Sequence, residues 1–173
     1  MARALLLVDV LKGFEHEDGD RLLESFRRRH TGMTRALADA RRAGIPVVFV
    51  NDDAGTWDSN APALVSLALA GKAGQLIAAV APHEGDRIVL KPRYSAFDQT
   101  PLATILRELE VDQVVLAGTA TEICVFQTAT DALRLGFDVT VAADACATVD
   151  EGHEALALDY LEHVLGVHVV GRA

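Results

Sequence analysis

Three side chains of different chemistry, a carboxylate, an ammonium and a thiol, follow short apolar runs of this 173-residue chain. Asp9 and Lys91 each come directly after such a run, and Cys124 lies in the turn beyond a third. A thiol attacks a carbonyl as the thiolate, a carboxylate can take its proton, and a lysine cation stabilises both anions. The combination predicts a nucleophilic triad if the fold brings the three residues together.

The sequence around Cys124 favours a reactive thiol. The run Val114–Ala117 predicts a buried strand, Gly118 opens a turn, and a helical pattern follows from about residue 121. The positive end of a helix and its unpaired N–H groups favour thiolate and can hold an oxyanion. Free cysteines are often buried as small hydrophobic residues, so simple packing stays an alternative for Cys124.

Asp9 and Lys91 also have simpler interpretations. An aspartate in the position of Asp9 can cap the turn after its strand. A lysine such as Lys91 is more often an ordinary exposed residue. The placement of a carboxylate, an ammonium and a thiol at three strand ends favours the catalytic hypothesis over separate explanations.

Apolar runs alternate with helical patterns along the whole chain. Strands are predicted at 4–8, 46–50, 87–90, 114–117, 138–142 and 167–170, and helices at about 21–42, 61–69, 75–80, 101–109, 122–135 and 151–165. Apolar strands separated by helices predict one α/β domain, residues 1–173. Its expected fold is a three-layer α/β/α sandwich around a six-stranded, mostly parallel, doubly wound Rossmann-like sheet. In such sheets the site forms beyond the carboxyl ends of the strands.

Composition excludes several classes of function. A formal net charge of −9 argues against nucleic acid and against a polybasic membrane contact. The basic run SFRRRH, residues 25–30, is predicted to be a solvated helix face. No apolar run is long enough to span a bilayer, and the first one stops at Asp9 without a signal-peptide cleavage site. A cytoplasmic protein without GxGxxG or P-loop motifs is expected, with 2 cysteines that form no disulfide framework.

Three blocks of sequence resemble the isochorismatase-like cysteine hydrolases, the superfamily that includes nicotinamidases and N-carbamoylsarcosine amidase. They are LLLVDVLKGFEHEDG (5–19), VLKPRYSAFDQTPL (89–102) and LAGTATEICVFQTATDALRLGFDVTVAADACA (116–147), in the family's order. The resemblance implies Asp9 as general base, Lys91 as its cationic partner and Cys124 as nucleophile. It also implies a cis peptide between Thr119 and Ala120, with the Ala120 and Cys124 N–H groups as an oxyanion hole.

The chain departs from the family pattern in two places. Leu11, Lys12 and Gly13 stand where relatives often have glutamine and an Asn-Asp pair. The segment NDDAGTWDSN, residues 51–60, lacks the Asp-x-His pattern with which nicotinamidases bind a metal. We therefore expect no metal site and no cofactor, although the oxygens of residues 51–53 stay candidates for a hard cation. Asp144, predicted to follow strand five, is expected to hold a loop at the site's edge. Cys146 is expected to pack, with a resolving role in redox chemistry as the alternative.

Five residues are predicted to form the substrate pocket: Phe14, Asn51, Trp57, Tyr94 and Phe97. A subunit interface is the alternative for Trp57, and loop packing is the alternative for Tyr94 and Phe97. Members that act on isochorismate commonly lack the cysteine, so the chain resembles the amide-cleaving kind. The resemblance implies hydrolysis of a C–N bond in a small amide or carbamoyl substrate through a thioester, by a homodimer or homotetramer. A non-catalytic binding module of the same fold is the alternative function.

Overall fold

The computed structural model describes residues 2–53 and 60–172. In this part of the chain six strands form one sheet, in the order β3-β2-β1-β4-β5-β6, and all neighbouring strands run parallel. The strands are β1 (Arg3–Val8), β2 (Val47–Asp52), β3 (Arg87–Lys91), β4 (Gln113–Thr119), β5 (Asp138–Ala147) and β6 (His168–Val170). The predicted α/β fold is confirmed, and the sheet is wholly rather than mostly parallel.

Helices cover both faces of the sheet, as the apolar strands require. They are α1 (Gly19–Arg42), α2 (Ala61–Ala70), α3 (Gly74–Ala78), α4 (Leu102–Glu108), α5 (Phe126–Arg134) and α6 (Glu151–His163). A π-helical turn (Thr121–Val125), here called the π turn, joins β4 to α5. Helices α1 to α3 pack in one hydrophobic cluster and α4 to α6 in another, with alternate β1 residues pointing to each. The result is the predicted three-layer arrangement.

The strand order reverses between β1 and β4, and Gly118 lets these two strands meet at that point. Gly118 has a φ of 126°, and a side chain there would clash with the backbone of Val8. Asp9 follows Val8 directly, and the π turn follows β4. The crevice at this reversal, where ligands bind in open α/β sheets, therefore lies between Asp9 and the residues of the π turn.

Strand β5 runs further than its apolar pattern predicted. After an irregularity in the pairing, Gly118 and Thr119 of β4 pair with Cys146 and Ala147, so the strand continues to residue 147. The prediction that Asp144 follows the strand and holds a loop at the site is wrong. Asp144 lies inside β5 and forms an ion pair with Arg35 of α1. Cys146 is fully buried, which fits the packing role expected of it.

The basic run 25–30 is not a uniformly solvated face. Ser25 and Phe26 are buried because this side of α1 packs against the sheet. Arg29 is half-buried and forms an ion pair with Glu154 of α6 at 3.1 Å. Only part of the run, which includes the exposed Arg27 and Arg28, matches the prediction.

Candidate active site

Asp9, Lys91 and Cys124 meet at the carboxyl edge of the sheet. The Lys91 Nζ lies 2.9 Å from Asp9 Oδ2 and 3.7 Å from Cys124 Sγ. Only 2% of Asp9 and 1% of Lys91 is exposed, and Cys124 is half-buried. Three residues from three separate parts of the sequence therefore form one compact, largely desolvated cluster, because parallel strands end at the same edge.

The Asp9 carboxylate is held in one orientation by the ends of neighbouring strands. Its Oδ1 accepts the Asp52 N–H at 2.7 Å, while Oδ2 faces Lys91. The backbone of Asp9 has a φ of 50°, donates its N–H to Val50 O and accepts the Thr119 hydroxyl at 2.9 Å. These bonds link β1, β2 and β4, so the carboxylate is fixed before any substrate binds.

Lys91 remains a cation despite its burial. Burial acts to lower the pKa of Lys91, but attraction to Asp9, Cys124 and Asp52 outweighs it, and the pKa is raised. The ammonium also donates to the Arg93 carbonyl at 3.0 Å. These partners stabilise the buried ammonium of Lys91. The lysine therefore provides a fixed positive charge beside both the Asp9 carboxylate and the Cys124 sulfur.

The surroundings of Cys124 favour the neutral thiol, so the predicted bias toward thiolate is wrong for the resting protein. Burial raises the pKa of Cys124 to about 12, and the charge of Asp9 adds to this effect. Lys91 and Lys12 act in the opposite direction but do not prevail. In addition, the thiol lies on a π turn rather than in the first turn of an α-helix. Attack by this sulfur would therefore require its proton to leave, and the neighbouring Asp9 carboxylate is the candidate to take it.

The peptide bond between Thr119 and Ala120, which leads into the π turn, is cis. Ala120 and Cys124 line the same cavity as Asp9. The carbonyl of Ala120 accepts the N–H groups of Ile123 and Val125, which closes the turn around Cys124. The residues implied as an oxyanion hole are thus brought to the side of the cavity where the thiol lies.

Two carboxylates, Glu122 and Glu154, anchor the π turn. Glu122 accepts the Val149 N–H at 2.9 Å and the Thr148 hydroxyl at 2.8 Å, which fastens the turn to the loop after β5. The Glu154 carboxylate, from α6, accepts the Thr121 hydroxyl at 2.8 Å. No feature of the sequence singled out Glu154, because its partner lies 33 residues away and nothing in the pattern of α6 distinguishes it.

A cavity of about 870 Å³ opens over the cluster. Its described walls combine Asp9, Ala120 and Cys124 with charged residues of the segment after β1 and apolar residues of α2. The lining includes Asp9, Lys12, Glu15, Asp18, Asn51, Asp52, Leu64, Leu67, Ala68, Tyr94, Ala120 and Cys124. The Cys124 thiol therefore lies beside a chamber large enough for a small organic molecule.

Similarity to known proteins identifies the family. A sequence profile described as "Isochorismatase domain" matches residues 3–172. The chain belongs to the isochorismatase family.

Relatives with names and structures lie within this family. The uncharacterized isochorismatase family protein YaaI of Bacillus subtilis is 30% identical, over 94% of this chain and 90% of its own length. Maleamate amidohydrolase of Pseudomonas putida is 30% identical, over 90% and 78% respectively. The crystal structure of nicotinamidase/pyrazinamidase PncA from Bacillus subtilis has a TM-score of 0.79 at 28% identity and covers 99% of this chain and 100% of its own.

Of the predicted pocket residues of this isochorismatase-family chain, Asn51 and Tyr94 line the cavity. Asn51 lines the cavity and fixes the backbone of Leu11, by accepting its N–H and donating to its carbonyl. Tyr94 also lines the cavity and is 60% exposed. Trp57 lies outside the described residues.

Phe14 and Phe97 do not line the described part of the cavity. Phe14 is buried, and its ring packs edge-on against Phe26 of α1. The ring of Phe97 stacks on Phe137 in the opposite hydrophobic cluster. Both are apolar rings within reach of a core, and burial there removes more of their surface from water than a cavity wall would.

Residues 2–53 and 60–172 contain neither a cluster of metal-binding side chains nor a membrane-spanning helix. Within them no group of three or more His, Cys, Asp and Glu side chains is arranged to hold a metal ion. The absence of a metal in the isochorismatase-family site stays a prediction. No described helix is both long and apolar enough to cross a membrane.

Proposed function

We propose that Cys124 is the nucleophile of an amidohydrolase that cleaves the C–N bond of a small carboxamide or carbamoyl compound through a thioester. Asp9 is the general base and Lys91 its cationic partner. The observation that carries the proposal is the meeting of Lys91 Nζ with Asp9 at 2.9 Å and with Cys124 at 3.7 Å, where Asp9 and Cys124 line a cavity of about 870 Å³.

The kind of reaction follows from the family. Maleamate amidohydrolase and the nicotinamidase both have names that describe amide cleavage. The chain, which is similar to both over most of its length, is an amide-cleaving hydrolase. The finer assignment of a cysteine mechanism to it rests on the cluster of Asp9, Lys91 and Cys124.

The first half of the reaction transfers the acyl group to sulfur. As the Cys124 sulfur attacks the carbonyl carbon, its proton passes to the Asp9 carboxylate and the carbonyl π electrons move to oxygen. The N–H groups of Ala120 and Cys124 hold this oxyanion. When the carbonyl re-forms, the C–N bond breaks, Asp9 returns the proton to the leaving nitrogen, and ammonia or an amine departs.

The second half restores the thiol. Water attacks the thioester carbon and gives one proton to Asp9, and a second tetrahedral oxyanion forms on the same N–H groups. Its collapse breaks the C–S bond, and the sulfur takes the proton from Asp9. Throughout, Lys91 supplies a fixed positive charge that stabilises both the carboxylate and the transient thiolate, which lowers the cost of each transfer.

The test is ammonia release from a panel of small primary amides and ureas. C124A is expected to lose turnover completely, while C146A, which alters the buried second cysteine, retains it. Mass spectrometry of the intact protein, quenched during turnover, should find the acyl group on Cys124. Wild-type rates in C124A would refute the covalent route. Failure of the wild type on every amide, together with tight binding of one of them, would favour the non-catalytic module.

A homodimer or homotetramer and a cytoplasmic location stay predictions. Sedimentation of the purified protein measures the first directly. The proposed chemistry does not depend on either, because Asp9, Lys91 and Cys124 belong to one chain.

A further inference from the structure

Lys12 is held on the cavity wall by a rigid stretch of backbone. The preceding residue, Leu11, is fully buried, and both its N–H and its carbonyl are bonded to Asn51, at 2.9 and 3.0 Å. Two residues later Phe14 is buried with a φ of 61°. Lys12 is half-buried between these two residues, so its backbone has a well-defined position at the edge of the cavity.

The positive charge of Lys12 has no ion-pair partner among the residues that the structure describes. Two other charges of the cavity do have ion-pair partners. Asp9 is paired with Lys91, and Asp18 is paired with Arg21. Lys72, a lysine on the surface, also forms an ion pair, with Asp20 at 2.6 Å.

Two further carboxylates on the same wall, Glu15 and Asp52, must be weighed against Lys12. Glu15 is exposed, so solvent screens its charge. The charge of Asp52 acts on Lys91, and its backbone is bonded to Asp9. Neither forms an ion pair with Lys12, which leaves a cation facing the cavity that a ligand anion can neutralise.

Lys12 also lies within electrostatic reach of the reacting sulfur. Its charge is one of the influences that lower the pKa of the Cys124 thiol against the larger effect of burial. The apolar side chains of Leu64, Leu67 and Ala68 line the same cavity. A ligand that reaches from Cys124 to Lys12 thus meets a thiol, an apolar wall and an ammonium.

We propose that Lys12 determines substrate specificity by pairing with a carboxylate of the substrate. The inference rests on the proposed function, and it names the class of substrate: a short amide that carries a carboxylate at its other end, separated by a few carbon atoms. Desolvation beside the apolar wall strengthens such a pair. The lysine is one of the positions at which this chain departs from the common family pattern, so the specificity belongs to this chain's own residues.

The kinetic test compares matched amides. Monoamides of the C3 to C6 dicarboxylic acids are each paired with the neutral amide in which a methyl group replaces the carboxylate, for example succinamate with butyramide. The wild type should prefer a carboxylated member. In K12M its kcat/KM should fall about tenfold or more beyond any loss shared with the neutral amide, and mainly through KM. K12R, which keeps the charge, should retain the preference, and K72M should change nothing.

Two kinetic outcomes would overturn the inference. One is a wild type that hydrolyses amides but prefers no carboxylated member over its neutral partner. The other is an equal loss for both members of a pair in K12M, which would mean that Lys12 acts on the thiol or on the fold instead.

A binding measurement separates this inference from the proposed function. Iodoacetamide labels Cys124 in the C146A background, and succinate or glutarate is added as the probe. Both should slow labelling in the wild-type cavity but not in K12M, and 1,4-butanediol should slow neither. Protection without any amide turnover would refute the amidase and leave the carboxylate site standing. Equal protection of both variants would refute the role of Lys12.

Discussion

Burial has the largest effect on the pKa of the Cys124 thiol, and one neighbouring residue, Asp9, adds two further effects. Asp9 raises the pKa of the thiol through its negative charge and through the hydrogen bond that it accepts from the sulfur. The same closeness lets it receive the proton when the sulfur attacks a carbonyl. On the proposed mechanism, the thiol therefore stays in its less reactive neutral form until the sulfur attacks the substrate.

Replacing Asp9 should separate these two effects. In D9N both contributions of Asp9 disappear, while Lys91 and Lys12 continue to stabilise the thiolate, so the pKa of Cys124 should fall below its value of about 12. Amide turnover should fall about 100-fold or more, because no group takes and returns the proton. The rate of iodoacetamide labelling against pH, measured in the C146A background, gives the pKa. A midpoint that stays in place or rises, or a D9N variant with normal turnover, would contradict this account.

At the scale of elements, the turn between β4 and α5 is fastened to α6 by a buried carboxylate. Only 5% of Glu154 is exposed, and burial raises the pKa of its carboxyl, against the opposing effects of Thr121 and Arg29. The folded protein thus retains this proton at pH values where the unfolded chain, with an ordinary pKa near 4.5, has lost it. Its contribution to stability is complete below that pH and is lost as the pH rises through the folded-state pKa.

E154Q should remove this pH dependence. An amide cannot ionise, so the free energy of unfolding of the variant, relative to the wild type, should increase as the pH rises above about 4.5. Urea unfolding from about pH 4 to about pH 8 measures the difference. The matched control is E151Q, which alters an exposed glutamate of the same helix. A difference between wild type and E154Q that is the same at every pH would show that burial does not control this carboxyl.

At the scale of the whole molecule, the close packing of α1 on β5 fixes the position of this helix on the sheet. Gly32 lies in the middle of α1, and a Cβ there would lie far inside contact distance of the Asp144 carbonyl oxygen. This close approach brings Arg29 to Glu154 and Arg35 to Asp144. The helix layer therefore supports α6 and, through it, the π turn that carries Cys124.

G32A should test how rigid this layer is. Alanine would normally stabilise a helix interior by roughly 0.5–1 kcal/mol relative to glycine. Here the clash with the backbone of β5 should outweigh that gain and lower the free energy of unfolding by about 1–3 kcal/mol. Urea unfolding provides the measurement, with T31A, at the adjacent exposed position, as the control. A G32A protein as stable as the wild type would mean that α1 can shift away from the sheet without cost.

Much of the fold and the position of the site could be predicted from the sequence. Apolar runs and helical periodicity are local properties, so the strands, the helices and the parallel sheet were recognisable. Parallel strands end at one edge, and this rule alone gathered Asp9, Lys91 and the turn of Cys124 into one region. The ends of the strands were harder to predict. The continuation of β5 to residue 147, for example, depends on its pairing with β4 and not on its own sequence pattern.

Only the tertiary structure decided how these residues behave. The protonation of Cys124 depends on its burial and on its distances to Asp9 and Lys91, residues 115 and 33 positions away in the chain. Phe14 does not line the described part of the cavity, because its ring packs in the core against Phe26 of α1. Residue type is fixed by the sequence, but burial and electrostatic interaction depend on distances through space, and these exist only once the chain has folded.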